Sequence, residues 1–274
     1  MKKFLIILTG WLCVGGLAPS ACALEADPAR WRVTWEPSFG ISAYEEDTGS
    51  GSSRILSDWD AFIYGGRLGV DNHASSEEGI RGRFSLDTFA SATATETWTV
   101  GGAKYQTNDM DLWGISPGLE AGYAFLLDDE SQSQLIPSVG YEFRYLKFSR
   151  TNFNILNIIT SRDVVTESYQ IHLSWAGMRG IHRLGSDWRL EGATLAGLVF
   201  DNAADNSSLG VVDGHGGWIF RTEANLQRTW ESWTLGLGGF FDHQRLEGGS
   251  KSGVIWPDNE LDAYGGRAVL TYRW

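Results

Sequence analysis

The chain has 274 residues, with 34 acidic against 22 basic side chains, a net charge of -12, 34 glycines and 13 tryptophans. That balance excludes a nucleic-acid surface. No apolar run beyond the N-terminus approaches the roughly 20 residues of a membrane helix, so a bilayer crossing has to be made by strands.

Residues 1–23 open with Lys2 and Lys3, carry an apolar run from Phe4 to Val14 and end on Ala21-Cys22-Ala23. This pattern predicts a secretory signal peptide cleaved after Ala23. A lipidated Cys22 is the rival reading, opposed by Pro19 three residues before it. Both cysteines, Cys13 and Cys22, fall inside the segment. Disulfide, zinc-thiolate and cysteine-nucleophile chemistry therefore drop out of the exported chain, residues 24–274, which reads as one β-barrel domain.

The first strand starts near residue 31, with Trp31, Val33, Trp35, Phe39 and Ile41 on one parity and Arg32, Thr34, Glu36, Ser38 and Ser42 on the other. Apolar-out and polar-in alternation over a bilayer-length segment is the pattern of a transmembrane barrel strand. It recurs down the chain. Phe62, Tyr64, Leu68 and Val70 oppose Arg67 and Asp71; Ile80, Phe84 and Leu86 oppose Arg81, Arg83 and Asp87. Trp113, Leu119, Tyr123 and Phe125 oppose Ser116 and Glu120, and Leu135, Val139, Tyr141, Phe143 and Tyr145 oppose Ser138, Glu142 and Arg144. In the sixth strand Tyr169, Ile171, Leu173 and Trp175 are expected to face lipid, with Thr166, Ser168, Gln170 and His172 inward. Trp188, Leu190, Leu198 and Phe200 oppose Arg189 and Glu191; Trp218, Phe220 and Leu226 oppose Arg221 and Glu223; Trp233, Leu235, Leu237 and Phe241 oppose Asp242. The last strand sets Tyr264, Leu270, Tyr272 and Trp274 against Arg267, Thr271 and Arg273.

The count predicts an all-β, up-and-down antiparallel transmembrane barrel of about ten strands. Long polar connectors are expected near residues 45–57, 92–108, 149–163, 201–215 and 245–260, with short turns near 72–79, 127–134, 183–187 and 230–232. Long loops belong outside the cell and short turns in the periplasm. Tryptophans and tyrosines near strand ends suit the headgroup zone. The inward Arg67, Arg81, Arg83, Asp87, Glu120, Glu142, Arg144, Arg189, Glu191, Arg221, Glu223, Asp242 and Arg267 predict a mixed-sign network filling a narrow lumen, because ten strands enclose little more than side chains can occupy.

On these residues the chain resembles Gram-negative outer-membrane β-barrel proteins over its whole exported length. The resemblance implies residence in the cell outer membrane and recognition of the C-terminal strand by the barrel assembly machinery. Leu270, Tyr272 and Trp274 match that signal, although phenylalanine is the commoner last residue in the family. The strand and loop layout is similar to the ten-stranded omptin proteases, which cut polypeptides at the extracellular rim with a pair of aspartates opposite an Asp-His pair. The matching positions are Asp109 and Asp111 in one loop and Asp213 and His215 in another. Both motifs sit at the downstream ends of their loops, where the family places them nearer the upstream strand.

Among the remaining histidines, His172 is expected in the lumen, His243 beside Asp242 at the rim, and His73 and His182 at turns. No metal-ligand spacing, phosphate-binding glycine loop or nucleophile elbow is found, so no cofactor, metal or catalytic residue is assigned. Lys147, with Arg150 close behind, is a candidate contact for lipopolysaccharide phosphates. Three functions stay open: a structural or surface-interaction barrel with an unidentified extracellular ligand, a narrow porin-like channel for small solutes, and an omptin-like rim protease.

Overall fold

The computed structural model describes residues 31–48, 54–72, 78–128, 132–208, 210–214, 216–251 and 254–273. The signal segment, His73, His215 and Trp274 lie outside the described residues. Among the described residues fifteen strands follow in order: β1 (Arg32–Asp47), β2 (Ile55–Asp71), β3 (Gly79–Ser91), β4 (Ala94–Val100), β5 (Ala103–Leu126), β6 (Ser133–Ile155), β7 (Ile159–Ser161), β8 (Val165–Arg183), β9 (Trp188–Asn206), β10 (Gly210–Asp213), β11 (Gly216–Trp230), β12 (Trp233–Glu247), β13 (Gly249–Lys251), β14 (Val254–Trp256) and β15 (Asp258–Arg273).

Ten of them close a ring of antiparallel neighbours in the order β1, β2, β3, β5, β6, β8, β9, β11, β12, β15 and back to β1. Closure pairs Val33 with Tyr272 and Trp35 with Leu270, so the last strand completes the wall and leaves no free edge. β3 and β4 are two parts of one wall strand. Both pair with β2 on one side and β5 on the other, and between them Ala92 N donates to Phe62 O at 2.8 Å.

The exterior is apolar where the alternation predicts it. Trp35, Phe39, Phe62, Tyr64, Leu68, Phe84, Leu119, Val139, Leu198 and Leu237 all point out of the barrel, and Leu237 is 72% exposed. An apolar belt on a closed ring is the surface of a membrane-embedded barrel. Aromatics ring the end with the short turns. Trp188, Trp230, Trp233 and Tyr272 are exposed there, Trp233 packs 4.9 Å from Tyr272, and the Arg228 guanidinium lies over the rings of Trp188 and Trp230.

The long connectors differ from expectation because most of their length is strand. β5 has 24 residues and β6 has 23, where about 9–11 suffice to cross the bilayer. The segment 92–108 is mostly a hairpin of β4 and β5 turned by Gly101 and Gly102, both at positive φ, as a two-residue hairpin turn requires. Residues 149–163 and 201–213 likewise continue as β6–β7 and β9–β10 pairs. Polar residues in these segments are the outer faces of a wall that rises beyond the membrane, which composition alone does not distinguish from loop.

A second correction concerns β8. Tyr169, Ile171 and Leu173 are buried inside the barrel, while Gln170, Ser174 and Met178 face outward. The parity is the reverse of the sequence expectation. His172 is consequently on the outer side, its Nδ1 2.7 Å from the Tyr141 hydroxyl. The cause is an apolar interior in the long-hairpin half: Tyr44, Trp59, Leu112, Leu146, Phe148, Tyr169, Ile171, Leu173, Ile219, Leu246 and Trp256 form one buried cluster within the ring. In that half, apolar side chains point inward.

Candidate functional site

The interior is the best-defined polar feature of the molecule, and it has two tiers. In the short-turn half and the middle of the barrel, inward parity places arginines and carboxylates from facing strands within reach of each other. Arg267 Nη1 lies 2.9 Å from Glu36 and 2.8 Å from Glu223. Arg67 bonds Asp87 through Nε at 2.7 Å and Glu223 through Nη1 at 2.9 Å, and Arg83 reaches Glu36 at 3.1 Å. Nearer the short turns Arg179 bonds Glu191 at 2.8 Å, and Arg32 pairs with Asp71. On the opposite wall Arg144 bonds Glu142 at 2.6 Å and Asp242 at 3.0 Å, and Arg221 Nε donates to the same Asp242 at 2.8 Å.

The predicted lumenal charges are thus inside and, in these groups, mutually paired. The network also recruits Arg32, Glu36, Asp71 and Arg179, which were not singled out from sequence as part of it. Arg32, Glu36 and Asp71 carried the signal of inward parity. Arg179 did not, because it shares the parity of Tyr169, Ile171 and Leu173, which were expected to face lipid. The spaces between these groups include ones of about 110, 50 and 10 Å³, room for a few waters.

The second tier lies in the long-hairpin half, beyond the apolar belt, where the outward neighbours are polar: Glu45 and Asp47 on β1, Thr166 and Ser168 on β8. Here Arg150 is buried among three glutamates. Its Nε is 2.8 Å from Glu96 Oε2, Nη1 is 2.7 Å from Glu167, and Nη2 is 3.3 Å from Glu46. Ser57 and Asn108 donate to Glu96 at 2.6 and 2.7 Å, and the Tyr44 hydroxyl donates to Glu46. Tyr169, bonded by Trp256 Nε1 at 3.0 Å, closes the cage against the apolar cluster. Arg150 is therefore an interior group, and the expectation that it joins Lys147 at the lipid headgroups is corrected. Lys147 itself has the outward parity expected of it.

The omptin-like positions fall as follows. Asp109 and Asp111 alternate with the buried Asn108, Met110 and Leu112 and so face the outside of the wall. Asn152 Nδ2 donates to Asp109 at 2.7 Å, and Thr93 donates its hydroxyl to Asp111. Asp213 ends β10, its backbone paired with Ala203. Its side chain and all of His215 lie outside the described residues. His243 Nδ1 sits 2.7 Å from Asp262, against the ring of Trp218.

No family model matches the chain, and no curated protein matches it in sequence. Among solved structures it is similar to the outer membrane protease OmpT from Escherichia coli, with a TM-score of 0.61 at 11% identity over 93% of this chain and 99% of that one. A major outer membrane protein from Thermus thermophilus gives 0.41 at 13% identity, covering 87% and 99% of the two chains. The translocator domain of the autotransporter NalP from Neisseria meningitidis gives 0.39 at 14%, covering 92% and 91%. The ring closure, the apolar belt and the likeness to OmpT define the class: this is the fold of a bacterial outer-membrane β-barrel, in its ten-stranded form.

Proposed function

We propose that this chain is an outer-membrane barrel with a sealed interior, whose tall hairpins present an interaction surface outside the cell. The observation that carries the reading is the two-tier filling of the lumen: a paired Arg/Glu/Asp network below and an apolar cluster around Arg150 above. Buried ion pairs that keep their partners hold one geometry, since opening them leaves uncompensated charge. A structural or surface-interaction role needs no path through the lumen. A narrow channel needs both tiers to part. Conductance across planar bilayers tests this: the barrel is expected to be electrically silent, and reproducible unitary steps would return the channel reading.

The likeness to OmpT concerns the fold. A rim protease built on the predicted quartet lacks support from Asp109 and Asp111, which face away from the lumen. Under the same proposal residues 1–23 are a cleaved signal and residues 24–274 the barrel. The outward Leu270 and Tyr272 of β15 serve recognition by the assembly machinery, and Lys147 is the remaining candidate for lipopolysaccharide contact.

A further inference from the structure

The apolar half of the interior contains a charged cage whose charges, among the described residues, do not balance. Glu46, Glu96, Glu167 and Arg150 are each at most 4% exposed as side chains, so the cage is screened from solvent on all sides. The three carboxylates divide one guanidinium unequally. Glu96 takes two of its N–H groups, through Nε at 2.8 Å and Nη2 at 3.1 Å, and adds Ser57 and Asn108. Glu167 takes Nη1 at 2.7 Å together with a longer bond from Asn206. Glu46 is left with the far arm of Nη2 at 3.3 Å and with the Tyr44 hydroxyl.

We propose that Glu46 carries a proton while the long-hairpin half of the barrel is closed, and that losing this proton loosens the walls meeting at the cage. The device is a pH-sensitive lock within the sealed interior, and it rests on that reading of the barrel. Its electrostatics come from every neighbouring wall. Tyr44 faces Glu46 from its own strand β1, Glu96 from β4, Arg150 from β6, and Glu167 and Tyr169 from β8. The register partners on either side, Ser57 of β2 and Asn259 of β15, are uncharged. With all three glutamates ionised, one arginine leaves two negative charges in a shell of Phe148, Tyr169 and Trp256, where removing charge from water is costly. One proton relieves half of that excess, and the carboxylate with the longest contact to the guanidinium is its natural seat.

Burial, with Glu167 and Glu96 close by, pushes the Glu46 carboxyl up to about 7 against the opposing pull of Arg150 and Tyr44. Glu96 goes the other way: despite burial, Arg150, Ser57 and Asn108 hold it below the ordinary carboxylate value. A glutamate released to solvent ionises near the ordinary 4.5. Between those two values the closed state holds one proton more than the open state. Opening therefore becomes about tenfold easier per pH unit across that window and levels off above it.

Hydrogen exchange read by mass spectrometry on the full barrel in lipid vesicles, corrected for the intrinsic pH dependence of exchange, tests the lock. Backbone amides around Glu46, Glu96, Arg150 and Glu167 are expected to show that rise and plateau, while strands of the short-turn half stay flat. The isosteric Glu46→Gln variant is expected to remain slow and flat throughout. Infrared difference titration of the unmodified barrel reads the proton itself, as loss of a carboxylic C=O band near neutral pH. Flat exchange at the cage with no such band, or an unchanged wild-type profile in Glu46→Gln, would overturn the lock while leaving the sealed lumen standing. Conductance at every pH would instead remove the sealed reading beneath it.

Discussion

In the short-turn half of the barrel Glu36, Glu191 and Glu223 each meet three arginines, whereas in the long-hairpin half three glutamates share, among the described residues, Arg150 alone. The first arrangement is redundant, because any one cation can leave and each of these carboxylates keeps a partner. The second depends on a single residue held in an apolar shell. Both close the lumen, yet they differ in what a single change does to them.

Removing the shared cation should have the largest effect. Arg150→Met leaves three buried glutamates without a countercharge, and breaking a buried pair in this way costs about 3–5 kcal/mol. Arg83→Met, in the redundant tier, leaves Glu36 with Arg67 and Arg267 and should cost clearly less. Urea unfolding of both variants in lipid vesicles measures the gap; equal losses would break the contrast between the tiers.

How much of this contrast was legible in the sequence follows from what alternation reports. In the short-turn half, polar parity means lumen and apolar parity means lipid, so Arg67, Arg83, Glu223 and Arg267 were placed correctly from spacing alone. Beyond the membrane the rule inverts, because the outer face meets water and the inner face must bury something. Tyr169, Ile171 and Leu173 therefore read as lipid-facing although they form the inner core, and the inversion carried His172 to the wrong side with them. Arg150 was misplaced for a related reason: its three glutamates come from β1, β4 and β8, far apart in the chain, so no local pattern announces the cage. The candidate protease positions were the least legible. Asp-x-Asp spacing says nothing about which side of a wall the pair occupies, and here that side is the outer one.

The boundary between the tiers offers a smaller effect. Gly140 lies beneath the indole of Trp175, and a Cβ at that position would meet the ring at 2.2 Å. Gly140→Val therefore presses on both Trp175 and the Leu119 carbonyl, 2.6 Å from that Cβ, an overpacking cost of about 1–3 kcal/mol. The loss should appear in the same unfolding measurement, and a neutral variant would show that Trp175 and the β5 backbone at Leu119 both yield. The smallest effect belongs at the rim, where Arg54 and Asp47 form an exposed pair. Arg54→Ala is expected to leave the unfolding midpoint unchanged, since solvent and salt screen such pairs. A measurable loss there would mean that the mouth of the barrel contributes to holding the tiers closed.

The apolar upper tier depends on the reversal of parity along β8. That reversal is tested most directly by single cysteines placed in turn at residues 170 to 174 of the chain from residue 24 onward, which has no cysteine of its own. Each would carry a spin label, and its accessibility to oxygen and to a water-soluble relaxation agent would be read in lipid vesicles. Accessible labels are expected at positions 170, 172 and 174 and shielded labels at 171 and 173. The opposite alternation, with 171 and 173 open to the outside, would contradict the reversal.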